Sequence, residues 1–191
     1  MLALAKQLAL PVHFRSLAGL LLAVFLLSAC VQAPLKPPSE GFAAQGRVNI
    51  RSQNQANTAL FDWVASPQRD VLSLSSPLGN ILAELTIQYR AGEIVAAQLQ
   101  HGATMDVADQ PEALLAQVTG LVMPVSGMRW WLRGLPDPKQ PFTRGADDFE
   151  QSGWRVRPSD YRAGDWPYRV ELTRDDLRIL VMIKEWSHAA P

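Results

Sequence analysis

Leu72–Leu85 reads LSLSSPLGNILAEL. Leu72 and Leu74 alternate with Ser73 and Ser75, and Ala83 and Leu85 resume the alternation beyond Ser76-Pro77-Leu78-Gly79. A period of two sends alternate side chains to opposite faces, so the stretch predicts a β-hairpin with one apolar and one wet face. Pro77 suits the second position of a type I turn and Gly79 the fourth. Leu78 then falls third, at a tip that water reaches. Its side chain either projects outward or folds back against Leu74 or Ile81, and the hairpin alone leaves both open.

The same period extends to either side. Val48 and Ile50 alternate with Arg47, Asn49 and Arg51. Ala59, Phe61, Trp63 and Ala65 share one face, with Asp62 opposite. Ala83, Leu85, Ile87 and Tyr89 continue the pattern, and Val95, Ala97 and Leu99 follow the turn Ala91-Gly92-Glu93. Short spacings between such runs predict an antiparallel meander. The period then changes. Asp109-Gln110-Pro111-Glu112 predicts a helix start capped by Asp109, Leu114, Leu115 and Val118 recur at helical spacing, and Gly120 stops the helix. Ser126 is expected to cap a second short helix, Gly127–Arg133, closed by Gly134. Alternation returns at Trp154 and Val156, at Tyr168, Val170 and Leu172, and at Ile179, Val181 and Ile183. Leu180 and Met182 are also apolar, which predicts cover on both faces of the last strand. The outline is about six strands, two short helices and about four strands. A sheet that long curls because strands twist and bare edges aggregate, so a closed or nearly closed barrel is expected, with the helical insertion over one mouth.

The first 29 residues stand apart from this pattern. Lys6 and Arg15 precede the apolar run Leu17–Leu27, and no acidic residue occurs there. The run is too short for a membrane-spanning helix, which needs about 20 residues. It fits the core of a secretory signal peptide over 1–29. Leu27-Ser28-Ala29-Cys30 resembles a bacterial lipobox, which implies cleavage before Cys30, diacylglycerol on its sulfur and an acyl chain such as palmitate on its amino group. Cys30 is the only cysteine, so an internal disulfide and a cysteine-based zinc site are excluded. Val31 after Cys30 lacks the Asp that retains enteric lipoproteins at the inner membrane, which favours the periplasmic side of the outer membrane. Residues 30–41 are rich in proline and polar side chains and read as a lipidated linker, leaving 42–188 as one domain. The whole chain has equal numbers of acids and bases, and two bases leave with the signal peptide. No basic surplus remains for a phosphate backbone, so nucleic acid is not an expected partner.

Catalytic patterns are missing. His101 stands at a turn and His188 near the C-terminus, neither at metal-ligand spacing with a second histidine or a carboxylate. Asp147-Asp148 and Asp175-Asp176 are adjacent acids, which read as solvated turns. No serine sits in a G-x-S-x-G elbow, and no glycine-rich phosphate loop follows a strand. An enzyme is not expected. Six tryptophans lie in the mature chain, enough to fill a core or to border a ligand space inside a small barrel. The helix pair, with Leu114, Leu115, Met123, Met128 and Trp131, then reads as a movable lid.

In order along the chain stand the lipobox, Gly46-Arg47-Val48, Phe61-Asp62-Trp63, Leu74-Ser75-Ser76-Pro77-Leu78-Gly79, Thr119-Gly120, Trp131-Leu132-Arg133-Gly134-Leu135-Pro136, Gly153-Trp154, Tyr161 and Ile183-Lys184-Glu185-Trp186. This series resembles the LolB family of outer-membrane lipoproteins over essentially all of 46–186. It departs in one respect, because the family's helical segment before the first strand is replaced by a short proline-rich stretch. The resemblance implies a mainly β fold with short helices, an incomplete antiparallel β-barrel with a helical lid over an apolar cavity. It implies a receptor that takes acylated lipoproteins from the periplasmic carrier LolA and inserts them into the inner leaflet of the outer membrane, without ATP. Val48, Ile50, Phe61 and Trp63, then Leu72, Leu74, Leu85 and Ile87, then Val170, Leu172, Ile179, Val181 and Ile183 would line the cavity. Leu114, Leu115, Met128, Trp131 and Leu132 would form the lid. Leu78, flanked by Pro77 and Gly79, would be the tip of a membrane-inserting loop. A monomer is expected, with no metal and no cofactor beyond the N-acyl and S-diacylglycerol groups on Cys30. Arg47, Arg51, Arg155 and Arg157 read equally as a positive docking face or a solvated strand face. Two other readings remain open, a lipidated lipocalin-like carrier of a small apolar ligand and an accessory lipoprotein of an outer-membrane assembly machine.

Overall fold

The structure is a computed structural model and describes residues 40–53, 55–162 and 166–188. The signal peptide, Cys30 and most of the linker lie outside the described residues. Six strands come first: β1 (Phe42–Arg51), β2 (Ala56–Ala65), β3 (Arg69–Ser75), β4 (Ile81–Arg90), β5 (Glu93–His101) and β6 (Thr104–Ala108). Two helices follow, α1 (Pro111–Thr119) and α2 (Val125–Trp131). The chain ends with β7 (Phe142–Arg144), β8 (Phe149–Gln151), β9 (Trp154–Tyr161), β10 (Pro167–Arg174) and β11 (Leu177–His188).

The strands form one antiparallel sheet in the order β6-β5-β4-β3-β2-β1-β11-β10-β9-β8-β7. The first and last strands meet in its middle, because β1 pairs with β11. β6 and β7 stay as edges, so the sheet remains open, as an incomplete barrel. The alternation reads through into burial. Val48, Phe61, Leu72, Leu85, Val170 and Val181 are buried on the inner face. Their strand neighbours Arg47, Asp62 and Ser73 lie outside or half-buried. Val95 shares the inward parity of Ala97 and Leu99 but is exposed, because it is the unpaired residue of a bulge, beyond which Ile94 packs against the core instead. A bulge at Gln88/Tyr89 shifts the register just there. Leu180 and Met182 are half-buried on the outer face, opposite Asn49 and Glu171 and opposite Arg47 and Arg169 in the neighbouring strands. Their cover on that side is polar side chains of the sheet itself.

Five strands rather than four follow the helices. β7 and β8 have three residues each, too few to show a period, and a polar stretch hides them in the sequence. Both expected caps are also corrected. α1 is preceded by Gln110, with no side-chain cap bond, and begins on Pro111, whose fixed φ suits that position. α2 starts at Val125 after Pro124, and the Ser126 N–H is taken by Glu112 Oε1 at 2.9 Å instead of Ser126 serving as the cap. Gly120 does end α1 in the left-handed conformation, at φ 70°.

Gly46 has a packing reason. The β1–β11 register slips between Gln45 and Gly46, which brings the β11 backbone against Gly46. A Cβ there would lie 2.2 Å from the Met182 carbonyl oxygen and 3.0 Å from the Phe61 ring. The Met182 carbonyl cannot withdraw without disturbing the central pairing. Gly46→Ala is therefore expected to lose about 1–3 kcal/mol, in the range of overpacked cores, read as a lower urea midpoint at unchanged m-value.

Candidate functional site

The thirteen strand residues predicted to face inward are all buried. Six of them, Val48, Phe61, Trp63, Leu72, Leu74 and Val181, wall an apolar pocket. The helical segment closes it with Met123, Met128 and Leu132. No polar surface lines this pocket, and its free volume is about 10 Å³. That is at most room for one water, and an apolar wall keeps such a space dry. Of the other seven, Ile50 lines a neighbouring groove, and Leu85, Ile87, Val170, Leu172, Ile179 and Ile183 pack in the surrounding core. The interior is thus closed in this conformation. Anything larger than water needs a wall to move, and the helical wall is the one with methionines, whose unbranched side chains repack readily.

The two helices are held to the sheet by different means. α2 is fastened by polar groups. Trp131 Nε1 donates to Gln151 Oε1 at 2.7 Å. Gln151, itself buried, also accepts from Asp137 N at 2.8 Å and donates to the carbonyls of Asp137 and Gln140 at 2.9 Å each. Gly127 leaves room for the Trp131 ring, which a Cβ would meet at 2.5 Å. Arg129 Nη1 pairs with Asp70 on β3, and Nη2 donates to the Ser66 carbonyl at 2.8 Å. Tyr89 donates its hydroxyl to Asp70 at 3.1 Å and lies 4.7 Å beneath the Arg129 guanidinium. Burial pushes the Asp70 carboxyl above the usual carboxylate range, although Arg129 pulls the other way. Burial and the Asp70 charge likewise push the Tyr89 phenol up, so it remains a donor.

α1 presents mainly apolar groups to the sheet. Leu114 and Leu115 are buried beneath it. Its polar ties run within the helical segment: Glu112 takes the Ser126 N–H, and Thr119 Oγ1 donates to the carbonyls of Leu115 and Leu121. The sequence displays Leu114, Leu115, Met128, Trp131 and Leu132 through their spacing. It gives no sign of Asp70, Tyr89, Arg129 or Gln151, which come together only through strand register.

At the hairpin tip the Leu78 side chain projects outward. Gly79 N donates to the Ser76 carbonyl at 2.8 Å, which closes the turn with Pro77 second and Leu78 third. Leu78 is 90% exposed, so it does not fold back. Ile81 beside it is 75% exposed, and Leu82 is also exposed. The other end of the strands is sealed by rings: Phe42, Trp166 and Trp186 pack edge to face at centroid distances of 4.9–5.9 Å. The Arg133 guanidinium lies 4.5 Å from the Trp130 ring centroid and 5.7 Å from that of Phe42. Burial and the Arg129 charge push Arg133 below its usual value.

Other charged groups have ordinary roles. His101 Nε2 does have a carboxylate neighbour, Asp106 Oδ2 at 3.0 Å across the β5–β6 hairpin, which strand register supplies and spacing hid. No cluster of three or more His, Cys, Asp or Glu able to hold a metal occurs among the described residues. Asp148 faces Arg155 and Arg157 at 3.8 and 3.5 Å, and Arg155 also pairs with Glu150 at 2.7 Å. Asp176 accepts the Gln53 N–H at 3.4 Å. His188 ends β11.

The family model described as outer membrane lipoprotein LolB matches residues 40–186. The outer-membrane lipoprotein LolB of Chromobacterium violaceum is 34% identical over 180 residues, covering 88% of this chain and 97% of the relative. That of Pseudomonas paraeruginosa is 35% identical over 157 residues, 78% of this chain and 75% of the relative. That of Pseudomonas fluorescens is 33% identical over 156 residues, 77% and 74% of the two chains.

Proposed function

Because this chain belongs to the LolB family of outer-membrane lipoproteins, we propose that it receives acylated lipoproteins, shelters their chains in its interior and passes them to the inner leaflet of the outer membrane. The observation that carries this reading is the wholly apolar pocket between sheet and helices, closed by Met123 and Met128. Its work is burial, with no bond made or broken. Each methylene kept from water is worth about 0.8 kcal/mol, so a lipoprotein with three acyl chains faces a barrier of several tens of kcal/mol to crossing water alone. Moving the chains from one apolar shelter to another nearly cancels those terms. A modest affinity gradient then suffices, and no nucleotide need be hydrolysed.

The donor in this reading is the soluble periplasmic carrier LolA, and Cys30 carries the lipids that hold the receptor at the outer membrane. No helix among the described residues is long and apolar enough to cross a membrane. The closed interior assigns a task to the helical segment. It must lift when hydrocarbon arrives and settle back when it leaves. The direct test is to incubate the chain with a carrier loaded with one radiolabelled lipoprotein. The label is expected to move onto this chain without ATP. Label that stays with the carrier at every receptor concentration rejects the proposal.

A further inference from the structure

The strands alternate in direction, so the turns β1–β2, β3–β4 and β10–β11 gather at the Leu78 end of the sheet. A groove of about 210 Å³ opens there, between the start of β2, the start of β4 and the last turn of α1. Its floor is apolar, made by Ile50, Ala59, Leu82 and Val118, while Asn57, Thr58 and Thr119 supply its polar lining. Three of its residues, Val48, Leu74 and Met123, also wall the closed pocket. The groove and the pocket therefore adjoin, with these three side chains between them. Two of the dividers stand on strands and are fixed by the ladder. Met123 stands in the segment between the helices, is buried, and has an unbranched side chain that repacks readily.

The anchoring of the helices singles out the same place. α2 is tied down by Arg129 to Asp70 and Ser66, and by Trp131 to Gln151. The end of α1 rests on the sheet through Val118, and its polar ties stay within the helical segment. A wall that opens does so where only packing holds it. The larger groove on the other flank, about 340 Å³, sets Glu112, Asp137, Gln140, Gln151 and Arg174 beside the apolar Val122, Pro124, Trp131 and Trp154, so it offers hydrocarbon a more polar passage than the groove at the Leu78 end.

We infer that the groove beside the Leu78 turn is the port through which a fatty acyl chain reaches the interior, with Met123 as its gate. The inference rests on the receptor reading. It adds where the hydrocarbon passes and which side chain yields. The port lies next to exposed Leu82, Ile81 and Leu78, so a chain leaving it emerges at the apolar tip without crossing a polar rim on that side.

The test uses the mature chain, residues 30–191 made without the signal peptide and carrying Cys30→Ala, which needs no detergent, and cis-parinaric acid, a slender fatty acid that fluoresces when shielded from water. Asn57→Trp is an exposed change at the mouth of the groove and is expected to slow both binding and release about tenfold, or 1.36 kcal/mol on the barrier, at nearly unchanged Kd. Met123→Ala is expected to speed both steps. Gln140→Trp, in the polar groove, is expected to keep the rates of the parent chain. Parent rates in both Asn57→Trp and Met123→Ala, or slowing in Gln140→Trp, overturn the port and leave the receptor reading in place. A parent chain that binds no parinaric acid overturns the receptor reading and the port with it.

Discussion

Leu78→Glu is expected to keep the fold and client uptake and to abolish delivery into bilayers. The turn is set by Pro77, by Gly79 and by the Gly79–Ser76 backbone bond, none of which involves the Leu78 side chain. A 90% exposed side chain has almost no packing to lose, so the change in stability stays within about 0.5 kcal/mol. In water that leucine gains nothing. Inserted among acyl chains it gains about 2 kcal/mol, and a carboxylate at the same tip is repelled by the hydrocarbon. The difference is enough to remove the docked state rather than weaken it. Reconstitution with liposomes and a labelled lipoprotein separates the two steps: uptake by the variant at the parent level, delivery near background. Full delivery by the glutamate variant would eliminate the insertion role of the loop.

The second large effect concerns stability. Arg129→Met leaves the Asp70 carboxylate buried without its counter-charge, and such losses run to about 3–5 kcal/mol. Replacing both, as Asp70→Leu with Arg129→Met, removes the orphan along with the pair and is expected to recover most of that loss. The double-mutant cycle then reports strong coupling between the two positions. Acid supplies an independent check. Burial already holds the Asp70 carboxyl above the usual carboxylate range, against the pull of Arg129 and the hydrogen bond from Tyr89. The folded protein therefore binds that proton more tightly than the unfolded chain. The stability linked to it is complete below the usual carboxylate range and is lost as pH rises through the elevated value. Without Arg129 the elevation grows. The deficit of Arg129→Met should thus be largest near neutral pH and shrink on acidification, measured by urea midpoints across pH. A deficit independent of pH would assign the loss to packing instead.

The sheet was legible in the sequence because its rule is local. A residue two places on faces the same way, and the runs around Val48, Phe61, Leu72, Leu85, Val170 and Val181 obey this without knowledge of partners. The inward set followed from that rule, and the turn at Leu78 from the conformational preferences of Pro77 and Gly79. Short elements escaped it: three residues of β7 or β8 are shorter than any reliable period. The helix caps escaped for another reason. Asp109 and Ser126 are good capping residues, but Pro111 begins α1 on its own φ preference, and Glu112 reaches across from one helix to the other. The exposure of Leu78 depended on what lies beyond the hairpin, and local sequence held both answers. The anchors of α2 were least visible. Asp70 and Arg129 are 59 residues apart, and each alone resembles a surface charge. Only the folded register makes them a buried pair.

The missing bond between β6 and β7 has a mechanical result. A closed hoop of strands has its girth fixed by its ladder, and widening it means breaking backbone hydrogen bonds. Here the loop before β7 is tied to the β4–β5 turn by Lys139, which reaches the Gly92 carbonyl at 2.8 Å and Glu93 at 2.5 Å. Both side chains are solvent-washed, so that clasp is worth no more than about 1 kcal/mol. Parting the two edges therefore costs little, because every rung between strands stays intact.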